Sequence, residues 1–126
     1  MRTTRRYLAI ATTAVLFTLG FSAAPAEAAP TWVYIVFPGW LGNCPGSSVY
    51  GVQASVSNMW STNWDYGDDI VYGKVNTGAS QSLSYNLACR VGGRPVGYQP
   101  GSVTIRPPVG TRTIFVGPSG VRYQNY

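Results

Sequence analysis

The sequence of residues 82–91, Ser-Leu-Ser-Tyr-Asn-Leu-Ala-Cys-Arg-Val, has the clearest pattern in the chain. Apolar side chains alternate with small or polar ones, so that one face carries Leu83, Tyr85, Leu87, Cys89 and Val91. A period of two residues is typical of a β-strand with one buried face. The stretch therefore predicts a strand whose inner face contributes a cysteine to the core.

Further strands are predicted on both sides of this stretch. Residues 32–37, Trp-Val-Tyr-Ile-Val-Phe, form an unbroken apolar run, which is typical of a strand covered on both faces. Residues 49–57 alternate, with Tyr50, Val52, Ala54 and Val56 on one face and Gly51 on the other. Residues 68–75 contain another strand. Shorter strands are predicted at residues 96–99, 103–106, 113–116 and 121–123, separated by Gly and Pro turns, and the flanking prolines indicate edge positions.

The number and spacing of these strands predict the fold class. No stretch of eleven or more residues has a helical period, and seven or eight short strands follow one another in about 100 residues. This pattern is typical of an all-β fold. We expect a small immunoglobulin-like β-sandwich with Greek-key connections, and a small β-barrel is the alternative.

The N-terminal segment has the three parts of a secretory signal peptide. Arg2, Arg5 and Arg6 precede an uncharged, largely apolar stretch, and Ala26-Glu27-Ala28 matches the A-x-A cleavage pattern. The apolar stretch is short for a bilayer span, which needs roughly 20 apolar residues, and no Lys or Arg follows it before Lys74. We therefore expect residues 1–28 to be cleaved, leaving residues 29–126 as a single secreted domain with no stable membrane span.

Cys44 and Cys89 are the only cysteines of the chain. Export leads to an oxidising compartment, where an even number of cysteines favours pairing. A disulfide between them would close a loop worth about 4 kcal/mol in the chain-entropy model. A metal or redox pair is the alternative, but the chain has no C-x-x-C spacing and no histidine to complete a zinc site. We expect a structural disulfide and no metal or cofactor.

Composition argues against an enzyme. Because the chain has no histidine, it cannot build the usual Ser/His/Asp or Cys/His catalytic site. The acids of the expected mature domain, Asp65, Asp68 and Asp69, lie within five positions, whereas a glycoside hydrolase places two carboxylates on separate elements that flank a cleft. Turn formation is the simpler role for Asp and Gly in this segment. The six basic residues after residue 28 are too dispersed to predict nucleic-acid binding.

Residues 60–69, Trp-Ser-Thr-Asn-Trp-Asp-Tyr-Gly-Asp-Asp, are the most informative segment for function. We expect a surface loop in which Trp60, Trp64 and Tyr66 stand among polar residues, and Trp40 could join them from the loop that holds Cys44. Aromatic rings beside hydrogen-bonding groups suit a stacked sugar, and they equally suit the anchor of a protein interface. Alternatively, the two tryptophans of the segment fold inward and close one end of the sandwich.

These observations favour a secreted, non-catalytic binding module whose partner is an extracellular glycan, a cell-wall polymer or a protein surface. An alternative is a secreted inhibitor or toxin-like effector that acts on another protein. In that case the stiff segment Arg106-Pro107-Pro108-Val109-Gly110 would be a candidate contact loop, although it also suits a plain strand connection. A small glycoside hydrolase built on the aspartates is the third possibility.

Overall fold

The structure is a computed structural model and describes residues 29–126, so the expected signal peptide lies outside the described residues. This part of the chain folds into nine strands and one short 3-10 helix, Gly39–Leu41. The strands are β1 (Ala29–Val36), β2 (Ser48–Val56), β3 (Trp60–Ser61), β4 (Asp65–Tyr66), β5 (Ile70–Thr77), β6 (Gln81–Val91), β7 (Arg94–Ile105), β8 (Thr113–Gly117) and β9 (Gly120–Gln124). Within residues 29–126, no helix is long and apolar enough to cross a membrane.

The strands form two sheets. The first sheet has the order β5-β1-β8-β9, and the second has the order β3-β2-β6-β7, with β4 pairing with β2 as well. Strands β1 and β8 are parallel, whereas the other pairs are antiparallel. The two sheets enclose one core as a β-sandwich, which confirms the predicted fold class. The immunoglobulin-like Greek key is not confirmed.

The core consists of the inward-facing side chains of both sheets. The first sheet contributes Val33, Ile35, Val71, Val75, Ile114 and Val116, and the second contributes Val52, Ala54, Val56, Leu83, Tyr85, Leu87 and Ile105. The alternation predicted for β6 is confirmed through Cys89. Val91, expected on the same face, is 48% exposed because it lies at the end of the strand, next to the Gly92-Gly93 turn.

The predicted disulfide is present and joins Cys44, in the segment between β1 and β2, to Cys89 in β6, with the two Cα atoms 5.5 Å apart. Two neighbouring contacts fix the same segment. The backbone N–H of Cys44 donates to Oε1 of Gln99 (2.9 Å), and the buried side-chain amide of Asn43 donates to the carbonyl oxygen of Val116 (2.7 Å). The long connection after β1 is therefore attached to both sheets.

Strand β1 differs from its prediction. We expected both of its faces to be covered, but Val33 and Ile35 are buried while Trp32 and Tyr34 are about half exposed. Aromatic residues favour strands on either face, so an unbroken apolar run does not reveal that one face has no covering layer. The outer aromatic side chains instead contact each other and Tyr72 of the adjacent β5.

Strand β7 unites the two segments predicted as separate strands, residues 96–99 and 103–106. Pro100 and Gly101, predicted to separate them, pair within the strand with Asn86 and Tyr85 of β6. A Cβ atom at position 101 would collide with the Tyr85 ring, which explains a glycine inside the strand. The edge positions inferred from proline are confirmed for β7 and β9, but the inference is wrong for β8, which pairs with β1 on one side and β9 on the other.

Candidate functional site

The predicted aromatic loop is an interrupted edge strand. Strand β3 pairs with Ser55 and Val56 of β2, and β4 pairs with Gly51 and Val52 farther along the same strand. Between them, the Thr62 N–H donates to the Ala54 carbonyl oxygen (2.9 Å). The segment thus follows the edge of the second sheet, and this pairing fixes the positions of its aromatic residues.

Trp64 and Tyr66 are brought together as the sequence predicts. Their ring centroids are 5.6 Å apart and their planes are inclined by only 13°. The Tyr66 ring lies directly on Gly51, because a Cβ atom built at that glycine would be 2.6 Å from Cδ1 of Tyr66. Gly51 pairs with Ala88 of β6, so a residue without a side chain and one with only a methyl group lie side by side beneath the ring.

Two tyrosines that we did not predict extend this cluster across the sheet. Tyr98 of β7 lies opposite Ala88, and its ring centroid is 5.4 Å from that of Trp64. Tyr50 of β2 lies 5.7 Å from Tyr66 on the other side. We call Tyr50, Tyr66, Trp64 and Tyr98 the aromatic band. Tyr66 and Tyr98 are 55% and 65% exposed, so the band offers ring surface to solvent.

A β-bulge explains why Tyr50 escaped prediction. The register of β2 against β6 shifts between Val49 and Gly51, and Tyr50 is the unpaired residue. A bulge interrupts the two-residue period, so Tyr50 does not follow Val52 into the core. Its ring instead lies beneath the guanidinium of Arg90, which is 4.6 Å from the ring centroid, in a cation–π contact.

A polar groove adjoins the aromatic band on the same sheet. Its volume is about 400 Å³. Most of its lining side chains are uncharged hydroxyls and amides: Gln53, Ser55, Ser61, Thr62, Asn63, Ser84 and Asn86. Asn63 immediately precedes Trp64, and Asn86 lies two residues before Ala88 on the same face of β6, so the polar groove lies beside the aromatic band.

The other two predicted site residues lie elsewhere. Trp60 is half-buried against the core, and its ring reaches the first sheet, where a Cβ atom at Gly73 would be 3.0 Å from it. Trp40 is 65% exposed, but it contacts Phe115 of β8 and the guanidinium of Arg122 of β9 rather than the band. Trp60 therefore packs against the core, whereas Trp64, also half-buried, stacks on Tyr66 at the surface. The alternative in which both tryptophans fold inward holds for Trp60 alone.

Tyr66 and Asp68, two titratable residues of the segment, differ in their surroundings. Partial desolvation, with the nearby Tyr98 and Tyr50 hydroxyls, raises the pKa of Tyr66, so its phenol stays a neutral hydrogen-bond donor. Asp68 accepts a hydrogen bond from the Ile70 N–H (3.1 Å), which is the turn role considered for this segment. Among residues 29–126, no three His, Cys, Asp or Glu side chains group as a metal site would require.

Comparison with protein-family models, with curated proteins and with solved structures found no match to this chain.

Proposed function

We propose that this chain is a secreted, non-catalytic module that binds a neutral polysaccharide across the outer face of the second sheet. The observation that carries the proposal is that the aromatic band and the polar groove lie next to each other on the same face of the sheet. Rings that lie along a sheet present flat apolar surface, and adjacent amides and hydroxyls supply hydrogen bonds. A sugar ring needs both, because its two faces carry C–H groups and its rim carries hydroxyls.

The composition of the groove favours an uncharged ligand. Its polar lining consists of Ser, Thr, Asn and Gln side chains, none of which carries charge at neutral pH. Charged ligands gain most from ionised partners, whereas neutral hydroxyls are well matched by amides that both donate and accept. The groove is also open along the sheet, so a polymer chain can pass over it without entering a closed cavity.

The rigidity of the surface supports the same proposal. Three of the four rings belong to strands β2, β4 and β7, which are hydrogen-bonded into one sheet, and Trp64 immediately precedes β4. Stacking between neighbours restricts each ring further, so little side-chain freedom remains to be lost on binding. The disulfide is compatible with the oxidising compartment that an exported protein would enter.

Retention on insoluble cellulose, chitin and xylan, followed by titration with soluble oligomers of whichever is bound, tests the proposal. We expect Trp64→Ala and Tyr98→Ala each to weaken binding about tenfold, equivalent to ~1.4 kcal/mol. Trp40→Ala is the matched control, because it removes an exposed tryptophan outside the band, and its affinity should stay within about twofold of the parent.

Equal binding by the parent and by a folded Trp64→Ala/Tyr98→Ala double variant would overturn the assignment of the site. Retention on none of the polysaccharides, together with a protein partner whose binding the same variants abolish, would show that the band is a protein interface. Thermal denaturation of each variant establishes that it is folded before binding is compared.

A further inference from the structure

A second set of aromatic side chains lies on the outer face of the first sheet. The ring centroids of Trp32 and Tyr72 are 5.4 Å apart with their planes 23° from parallel, and Tyr34 lies 4.9 Å from Tyr72. All three side chains are about half exposed. The aromatic band lies on the other sheet, so the two ring sets occupy opposite sides of the sandwich.

A groove of about 580 Å³ separates these rings from the segment that follows β7. One wall is aromatic, and the other is formed by Val109, Gly110, Thr111 and Arg112. It lies at the end of the proline-rich segment 106–110, the candidate contact loop. The fold places this segment against the exposed side of β1.

Hydrogen bonds fix the wall opposite the rings. The carbonyl oxygen of Pro107 accepts from the Gly78 N–H (2.7 Å), and that of Arg112 accepts from the Tyr34 N–H (2.9 Å). The Thr111 hydroxyl donates to the Pro108 carbonyl oxygen (2.7 Å). These hydrogen bonds hold the wall in place, which reduces the ordering cost of binding.

Charge distinguishes this groove from the polar groove. Arg112 lines it, and no acidic residue does. Lys74 is the cross-strand partner of Trp32, and directly opposed residues of antiparallel strands share a face, so a second cation lies beside the rings. Asp68 and Asp69 precede Ile70, the first residue of β5. Ile70 is itself about 13 Å along the strand from Lys74 at ~3.3 Å per residue.

We propose that this groove is a second ligand site, for a carboxylate-bearing polysaccharide such as a polyuronate. A sugar ring stacks on Trp32 and Tyr72, and its carboxylate binds the Arg112 guanidinium, with Lys74 adding attraction. Guanidinium and carboxylate form charge-assisted, often bidentate hydrogen bonds, which a neutral sugar cannot form. The site uses none of the residues of the aromatic band, so it does not depend on the function proposed above.

The test compares soluble polygalacturonate with its fully methyl-esterified form, which has the same backbone without the charges. In titrations of the folded secreted domain, we expect the acid form to bind and the ester to bind at least tenfold more weakly. Arg112→Gln and Trp32→Ala should each weaken binding of the acid about tenfold. Raising NaCl from 50 to 200 mM should weaken binding of the acid by the parent. Arg112→Lys should restore part of the loss.

Arg94→Gln is the matched control, since it makes the same change of net charge on an exposed strand residue outside the groove. Trp64→Ala separates the two sites, because it should leave binding of polygalacturonate unchanged. Equal affinity for acid and ester, or equal losses in Arg94→Gln and Arg112→Gln, would overturn the proposal. So would binding to phosphatidylglycerol vesicles that depends on Trp32 and Arg112 while polygalacturonate does not bind.

Discussion

Trp64 is the central side chain of the aromatic band, because its ring contacts both Tyr66 and Tyr98. Its neighbours differ in how they are supported. Tyr66 rests on the backbone at Gly51, whereas Tyr98 extends from an edge strand and is the most exposed member. The loss of Trp64 would therefore leave two rings without their shared contact, which is why its substitution is the most informative single change in the band.

The sequence identifies such residues only in part. Trp64 and Tyr66 could be predicted because they stand among polar residues, and Trp60 could not be told from them, since its burial depends on Gly73 of the other sheet. Tyr98 lies in a short segment whose facing was undetermined. The available signal was indirect: Gly51 and Ala88 are small residues on the predicted outer faces of two strands, and such positions leave space for rings from neighbouring strands.

Asp69 provides a pH-dependent prediction at the same scale. Partial burial raises its pKa above the ordinary value; a hydrogen bond to its own backbone opposes the shift, and the charge of Asp68 adds to it. A raised pKa means that the ionised form is less favourable in the folded state than in the unfolded one. The resulting loss of stability is absent below the ordinary pKa of about 4 and complete above the raised value.

Asp69→Asn, which is neutral at every pH, should therefore have a higher Tm than the parent at pH 7 and a similar Tm at pH 3. Thermal unfolding followed by circular dichroism measures this difference. Asp65→Asn makes the same change of net charge at an exposed position and serves as the control. A Tm difference of the same size at both pH values would show that ionisation of Asp69 is not its cause.

At the scale of elements, the site arises where β4 pairs with β2 next to the bulge. The bulge releases Tyr50 from the core, and the pairing of β4 with Gly51 and Val52 places Tyr66 beside it. Alternation predicted the existence and the inner face of β2 and β6. It could not predict the bulge or the pairing of two-residue strands, because both depend on which neighbour supplies hydrogen bonds and not on a local period.

Gly51→Ala tests this contact between the two elements. The added Cβ would lie 2.6 Å from the Tyr66 ring and 3.3 Å from the Ala88 side chain, so the ring must lift from the sheet. We expect a modest loss of stability, about 1–3 kcal/mol. We also expect the affinity for the neutral polysaccharide to decrease, because the displaced Tyr66 ring belongs to the band. Gly120→Ala has open space around its Cβ and is the control. Unchanged affinity in folded Gly51→Ala would contradict the supporting role of the glycine.

At the scale of the whole molecule, composition and turn spacing were sufficient to predict a two-layer β domain with one disulfide. They were insufficient for the order of the strands, because the parallel pairing of β1 with β8 joins residues nearly 80 positions apart. This pairing also determines the proposed second site. It brings the segment that ends at Arg112 against Tyr34, a proximity that no local pattern in either segment encodes.

Removal of the disulfide should lower the stability of the molecule without changing the affinity of its binding surface. Cys44 attaches the connection after β1 to β6 through the disulfide with Cys89. A Cys44→Ala/Cys89→Ala variant, which lacks this bond, should lose about 4 kcal/mol of unfolding free energy. For a domain of this size, that corresponds to a decrease in Tm of roughly 15–30 °C, measured by thermal denaturation. The rings of the band are held by strand pairing and by Gly51, so affinity for the neutral polysaccharide, measured well below the lowered Tm, should stay within about twofold of the parent. A decrease in Tm of less than about 5 °C would mean that the two sheets and the hydrogen bonds of Asn43 already fix the connection without the covalent bond.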